Sequence, residues 1–334
     1  MTRIKDVFIT GGTGFLGSHI VEQLLEEGGY RITAMHRPGS DLSFLRQKKV
    51  RLVEGDLQDA AGLEAIVPEG VDLIFHTAAN TSLWRGDRQR QYRDNVRGTA
   101  NLLQAAASRK AGRFVYTSSI MSYGLHDITI DEDTVSTAMD SPISYVRSKH
   151  AAEQQVREAG QRGMETVILK PGTLIGPRDK NNMIQLFEMV AGGRLPGVPA
   201  GTNSFAHVRD VARAHIAATA PDYAGREYVL GGVNASMAEL AQTAVEVIGQ
   251  PLRVRELPRP AMLLWAHMLR PVGSLTRRAP TVTPEMVTIS TSQVRCSSAR
   301  ARRDLRYRIG DLREMVDDCW QWMQQRESPP APVE

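Results

Sequence analysis

Two side chains in the segment "SYVRSKH", Tyr145 and Lys149, stand four residues apart and so share one face of a helix. A phenol with its ordinary pKa of about 10 is a poor acid–base group near neutrality. A neighbouring positive charge favours the phenolate. Lowering the pKa by about three units takes roughly 4 kcal/mol at 1.36 kcal/mol per unit, which a closed site can supply. Lone Tyr-x-x-x-Lys pairs are common by chance, so their company decides. "FVYTSSIMSYG" ends a predicted strand with Ser118 and Ser119, the latter 26 residues before the tyrosine. Hydroxyls there can hydrogen-bond a carbonyl oxygen that gains negative charge during reduction.

The opening segment "DVFITGGTGFLGSHIVEQLLEEGG" (residues 6–29) supplies a second constellation. Gly11, Gly14 and Gly17 recur every third residue, directly after an apolar run and at the start of a helical pattern. Glycine there permits a tight turn, close approach of the backbone to a pyrophosphate, and close helix–strand packing. The helix N-terminus then offers free N–H groups to the anion. We expect a nicotinamide dinucleotide on this loop, contacted by Gly11, Thr13, Gly14, Phe15 and Leu16. Its oxidised, cationic ring would add to Lys149 in favouring the phenolate. The next strand ends "AMHRPGSD", with no acid for the ribose hydroxyls but with Arg37 and, three residues on, Ser40. Either Arg37 is a solvated loop arginine or its guanidinium holds a 2′-phosphate. The second reading is favoured, so NADP(H) is expected over NAD(H), with Asp56 and Leu57 near the adenine edge.

These groups need a scaffold that brings strand ends together. Strand-like runs start at Asp6, Arg31, Val50, Val71, Arg113 and Thr166, and helical periodicity lies between them, as in Phe15, Leu16, Ile20, Val21, Leu24 and Leu25. Such alternation implies α/β architecture, a Rossmann-type doubly wound parallel sheet whose ligands lie beyond the carboxyl ends of its strands. The residues at those ends are Gly11, Arg37, Asp56, Thr77 to Asn80, Ser118, Ser119 and Pro171. After residue 172 the alternation loosens into a smaller, mixed α/β substrate lobe, with helices expected near 236–249 and 310–325. The division is therefore 1–172 for the dinucleotide domain and 173–325 for the lobe, some elements of which can return to the first domain. A flexible Pro-rich tail is expected over 326–334.

Composition narrows the classes. The chain has 334 residues, 42% hydrophobic and 23% charged, and a net charge of +4, too small to point to nucleic acid. Arginines crowd between Arg253 and Arg308 and read as a solvated basic surface, favoured over a site for an anionic partner. Cys296 and Cys319 form neither a disulfide framework nor a metal spacing, which suits a reducing cytoplasm. The N-terminal run is strand-like rather than a signal peptide, and no apolar run approaches a membrane span. The longest, "AMLLWAHMLRPVG" from Ala261, contains His267 and Arg270 and is expected as a helix lining a core or an apolar pocket rather than as a membrane contact.

The motifs "TGGTGFLG", "GDL", "HTAAN", "NVRGT", "YTSSIMSYG", "YVRSK", "KPGTLIGPRD", "FAHVRDVARAH", "YVLGG" and "SSARARRDL" occur in this order from Val7 to about Tyr307. Together they resemble the extended branch of the short-chain dehydrogenase/reductase superfamily, nearest its dihydroflavonol-4-reductase-like and 3β-hydroxysteroid-dehydrogenase-like members. The resemblance implies Ser119 as the catalytic serine and Tyr145 as the general acid–base. It implies Lys149 as the lysine that holds the nicotinamide ribose and depresses the tyrosine pKa. It places Thr77, Ala78 and Ala79 against ribose and pyrophosphate, Pro171 and Thr173 near the nicotinamide, and Asn95 in a supporting position; a homodimer is common in the family. Nucleotide-sugar epimerases of this branch resemble one another in an Arg-Asp-Tyr run, where this chain has Asn203, Ser204 and Phe205, and "TPEMVTISTS" lacks their second arginine. Losing two charge-assisted contacts to a dianion disfavours a nucleotide-sugar. The expected pocket is instead apolar, walled by Asn80, Trp84, Met121, Leu174, Met183, Phe187 and Phe205. The leading expectation is a carbonyl reductase or alcohol dehydrogenase acting on a largely apolar small molecule. A sugar epimerase/dehydratase is the alternative. A non-catalytic NADP sensor is a third, disfavoured because Tyr145 and Lys149 are both present.

Overall fold

The computed structural model describes residues 3–276 and 278–327. The apolar runs form strands and the periodic stretches between them form helices: β1 (Lys5–Thr10), α1 (Phe15–Glu27), β2 (Tyr30–His36), β3 (Arg51–Glu54), β4 (Leu73–His76), α2 (Gly98–Ser108), β5 (Arg113–Thr117), α3 (Ser144–Gln161) and β6 (Glu165–Pro171). Then follow β7 (Thr173–Ile175), α4 (Ile184–Ala191), β8 (Thr202–His207), α5 (Val208–Ala217), β9 (Glu227–Leu230), β10 (Val233–Ser236), α6 (Met237–Ile248), α7 (Arg259–Thr276) and α8 (Leu312–Glu327).

Seven strands make one parallel sheet in the order β3-β2-β1-β4-β5-β6-β9. Its central strands are buried on both faces, which is why β1 and β4 read as nearly continuous apolar runs rather than alternating ones. The order reverses between β1 and β4, where Thr10 pairs with His76, and a ligand crevice opens beyond such a switch point. A three-stranded sheet, β10-β8-β7, lies in the smaller lobe, with β8 antiparallel to β10 and parallel to β7. Around it α4, α6 and α8 close a second core that includes Ile175, Phe187, Phe205, Leu240 and Met315.

Residues beyond 172 do return to the first sheet. α5 packs on α1, and β9 pairs with β6 to complete the seven strands. Arg178, in a left-handed conformation (φ 68°), ties the C-terminal segment to α1: it donates to His19 Nδ1 (2.7 Å) and Glu22 (2.7 Å) and covers the Phe44 ring. Burial and the Arg178 charge pull the His19 pKa down to about 3, so its neutral ring accepts at Nδ1 and donates from Nε2 to the Pro177 carbonyl (2.8 Å).

Two expectations need correction. The tail was expected to be flexible from 326, but α8 runs on to Glu327 because its apolar face continues to Met323 in the lobe core; residues 328–334 lie outside the described residues. The helix from Ala261 lines neither a core nor a pocket with its apolar face: Leu264, Trp265 and Met268 on α7 are exposed. No helix among the described residues is long and apolar enough to cross a membrane.

Candidate active site

The glycine loop has the shape of a dinucleotide cradle. Gly11 adopts φ 75°, and a Cβ there would lie 2.6 Å from both Ala78 N and Thr77 Oγ1 at the end of β4. A Cβ on Gly17 would sit 2.2 Å from the Gly11 carbonyl oxygen. Only hydrogen fits at either place, so β1, β4 and α1 converge on one point at the switch crevice. Gly14 is the N-cap of α1; no side chain caps that end and no acid stands in its first turn. The N–H groups of Phe15 and Leu16 therefore have no competing side-chain cap or first-turn acid beside them. Thr77 is held by its Oγ1 donating to the Thr10 carbonyl (2.9 Å), Thr13 lies half-buried in the loop, and Ala79 is exposed beside it. This geometry fits a pyrophosphate.

At the end of β2, Arg37, Pro38, Gly39, Ser40, Asp56 and Arg90 line a cleft of about 400 Å³. Arg90 is a residue the sequence reading missed: it sits in the arginine-rich run "RGDRQRQYR", where nothing local singles it out. Its guanidinium also approaches Asp94 at 3.5 Å. Asp56 accepts the Gln58 N–H (2.9 Å), which shapes the turn after β3, while Leu57 packs under α2 and its carbonyl accepts from Asn101 (2.8 Å).

Lys149 and Tyr145 both lie on α3, and Ser119 caps the short turn after β5. Ser119 Oγ accepts the Met121 N–H (3.2 Å), which leaves its proton free to donate, and its hydroxyl lies near enough to the Tyr145 phenol to favour the phenolate. Burial raises the phenol pKa and the Ser119 hydroxyl partly offsets this, so Tyr145 is neutral in the protein alone. Lys149 is almost fully buried, which pulls its pKa down to about 7 against the opposing pull of Glu153. Its ammonium does not reach Tyr145. It donates to the Thr117 carbonyl (2.8 Å) and to Tyr116 Oη (3.2 Å). Among the described residues the Ser119 hydroxyl favours the Tyr145 phenolate, while Lys149 turns its ammonium to the strand end. One of the three ammonium N–H bonds remains for a ligand.

Asn95 lies in a π-helical turn, Arg93–Arg97, a local distortion common at functional sites. Its amide brackets the loop after β4: Oδ1 accepts the Asn80 N–H (2.7 Å), and Nδ2 donates to the Asn80 carbonyl (2.9 Å) and to Ser148 on α3 (3.0 Å). Asn95 thus ties the cofactor-side loop to the helix of Tyr145.

The expected pocket wall divides. Met121 is buried in a cluster against which Tyr145, Leu83 and Ile289 are partly buried; the latter two were not anticipated from sequence. Trp84 is half-buried over Gly86, and Leu174 and Met183 are half-buried at the edges of the two cores. Pro171 ends β6, buried, and Thr173 begins β7 half-buried. Two residues do not belong to the wall. Phe187 and Phe205 are completely buried in the lobe core, where α4 and β8 need large side chains to fill the space between helix and sheet. Asn80 spends its side chain on Asp94 (3.0 Å) and the Ser82 N–H (3.1 Å), shaping the loop. Asn203 and Ser204 lie inside the lobe sheet, with Ser204 Oγ accepting the Gly232 N–H (2.9 Å).

Sheet, glycine cradle and the Ser119–Tyr145 pair define a dinucleotide-dependent enzyme fold. Residues 7–231 match the NAD dependent epimerase/dehydratase family, and the chain belongs to that family. It is 31% identical over 333 residues to a protein of Synechocystis sp. named as a dihydroflavonol 4-reductase, covering 95% of this chain and 94% of that one. It is also 31% identical over 330 residues to a 3-beta-hydroxysteroid dehydrogenase of Mycolicibacterium neoaurum, covering 92% and 87%. Among solved structures, the Bordetella bronchiseptica enzyme WbmH in complex with NAD+ superposes with a TM-score of 0.76 at 25% identity, covering 96% of this chain and 98% of that one. The chain is thus an oxidoreductase of the NAD-dependent epimerase/dehydratase, extended short-chain dehydrogenase/reductase type.

Proposed function

We propose that this chain interconverts a carbonyl and a secondary alcohol on a largely apolar small molecule, using NADP(H). The observation that carries the reading is the juxtaposition of Ser119 and Tyr145 at the carboxyl edge of the sheet that carries the glycine cradle. The dinucleotide, when bound, supplies or accepts the hydride. In reduction, Ser119 Oγ–H and Tyr145 Oη–H orient the substrate oxygen, and Tyr145 gives it a proton as negative charge develops there. The raised phenol pKa suits that donor role. Lys149 keeps α3 in place and offers its remaining N–H to the nicotinamide ribose.

NADP(H) rather than NAD(H) is supported by Arg37 and Arg90 sharing one cleft with Ser40 where an acid would otherwise grip the ribose. An apolar substrate is supported by Met121, Leu83 and Ile289 beside Tyr145, and by the burial of Asn203 and Ser204 where a diphosphate-binding arginine would stand. The relatives named as dihydroflavonol 4-reductase and 3-beta-hydroxysteroid dehydrogenase point the same way. The test is a spectrophotometric screen of ketones, aldehydes and alcohols with both cofactors. Stoichiometric NADPH oxidation by an apolar ketone is expected. Isomerisation of a nucleotide-sugar with no net cofactor turnover would replace this reading with the epimerase one.

A further inference from the structure

α7 turns an apolar stripe away from the protein. Ala261, Leu264, Trp265 and Met268 recur at three- and four-residue spacing, and Leu275 follows two turns on, so all lie along one side of the helix. All five are exposed, Leu264 at 64%, Trp265 at 55%, Met268 at 57% and Leu275 at 88%. The opposite side is the one that packs: Ala266 is completely buried and Gly273 closes against Pro280. A helix that buries Ala266 and Gly273 while exposing Leu264, Trp265, Met268 and Leu275 presents a surface meant to be covered.

The surroundings of the stripe say by what. Between residues 251 and 283 there are six arginines and a single acid, Glu256. Arg253, Arg255, Arg259, Arg270 and Arg278 are all exposed. A second copy of the chain seated on this stripe by a two-fold axis would bring two such basic surrounds together, and their repulsion opposes the contact. An anionic lipid surface complements both parts at once: acyl chains take Leu264, Trp265 and Met268, and headgroup charges meet the arginines. His267, Arg270 and Pro271 break the apolar run within the helix, and no described helix can span a bilayer, so α7 would lie in the interfacial plane. The segment that follows is anchored beside the candidate site, where Thr283 Oγ1 donates to the Leu83 carbonyl (2.9 Å). We propose that α7 docks this protein peripherally on anionic lipid bilayers. The inference stands apart from the catalytic reading and fails or holds without it.

The test uses the full chain and vesicles of phosphatidylcholine, alone or mixed equally with phosphatidylglycerol. Co-sedimentation with the anionic vesicles is expected, falling roughly tenfold on neutral vesicles or in high salt. The combined substitution Leu264→Ser, Trp265→Ser and Met268→Ser is expected to reduce binding by a similar factor. In the unsubstituted protein, brominated acyl chains are expected to quench tryptophan fluorescence, and Trp265→Phe to remove most of that quenching; this readout decides if the triple variant fails to fold. Absence of vesicle binding overturns the proposal, as does binding or quenching that survives these substitutions. A dimer in light scattering that the triple substitution dissolves assigns the stripe to a second copy and overturns it as well.

Discussion

The ammonium of Lys149 sits 2.8 Å from the carbonyl oxygen of Thr117, so the helix that carries Tyr145 is pinned to the strand end that delivers Ser119. One helical turn further, Glu153 accepts the hydroxyl of Ser118 at 2.6 Å and repeats the tie. The Ser119–Tyr145 pair is thus aligned by two successive contacts along the same helix. Placement of this kind sets how well a proton donor meets a developing charge.

Removing the phenolic hydroxyl tests the proposed proton donor. Tyr145→Phe is expected to lower kcat/KM for ketone reduction by roughly 100- to 10,000-fold while leaving NADPH affinity near its original value. Ser119→Ala is expected to lower it less, because Tyr145 keeps its own proton. Steady-state NADPH oxidation and calorimetric titration separate the two effects; turnover in Tyr145→Phe within twofold of the unsubstituted enzyme would sink the mechanism.

The buried ammonium gives a pH signature. Lys149 has a pKa near 7 in the folded chain against an ordinary value of 10.5. Below about 7 both states carry the proton and the folded state bears the full burial penalty; above about 10.5 neither does. Stability therefore rises with pH between those limits. Lys149→Met removes the penalty, so its gain in melting temperature over the unsubstituted protein is expected to be largest near neutrality and to shrink toward pH 10. Its lost bonds to Thr117 and Tyr116 offset part of that gain at every pH. A difference that is flat with pH, followed by scanning calorimetry, would show that Lys149 folds in charged without cost.

The glycine cradle separates conformational strain from collision. Gly28 has φ 73° and ψ 175° with nothing near its Cβ position, so Gly28→Ala is expected to cost about 1–3 kcal/mol from backbone strain alone. Gly11→Ala adds a collision with backbone and side chain at 2.6 Å and is expected to cost well beyond that and to abolish dinucleotide binding. Denaturant melts of the two variants, with and without NADPH, make the comparison; equal losses would mean the crevice can open to admit a methyl group.

Arg37 and Arg90 decide cofactor choice on the reading above. Arg37→Ala and Arg90→Ala are each expected to weaken NADPH binding by roughly tenfold or more, about the loss of one charge-assisted contact, and to leave NADH binding unchanged. Titration calorimetry with both cofactors measures this directly. If Arg90→Ala binds NADPH normally, its guanidinium belongs to Asp94 alone.

Glu153 anchors a buried charge cluster behind the site. It is almost fully buried and accepts from Ser118, Arg157 and Lys170, with the last at 3.1 Å. Glu153→Gln leaves the equally buried Lys170 with Glu227 at 2.7 Å as its sole carboxylate. Breaking a buried pair in this way costs about 3–5 kcal/mol, so urea unfolding is expected to shift by that amount. An unchanged midpoint would show that Glu227 suffices.

What lies within one turn or one strand of sequence was legible from the residues themselves. Six strands of the sheet, the glycine loop, the four-residue spacing of Tyr145 and Lys149, and the Ser-Ser at a strand end all follow from local periodicity and chemistry, because a helix or strand imposes its repeat on neighbouring residues. Relationships between distant segments were not. That Phe205 fills a core rather than a pocket depends on how α4, α6 and α8 close over its strand. That Arg90 joins Arg37 depends on two loops more than fifty residues apart meeting above one strand end. That Lys149 turns to Thr117, and α7 turns its large apolar side chains outward, depends on which neighbours each finds when the chain has folded. Local pattern sets what an element is; only packing selects which of its faces is covered and which partner a buried charge reaches.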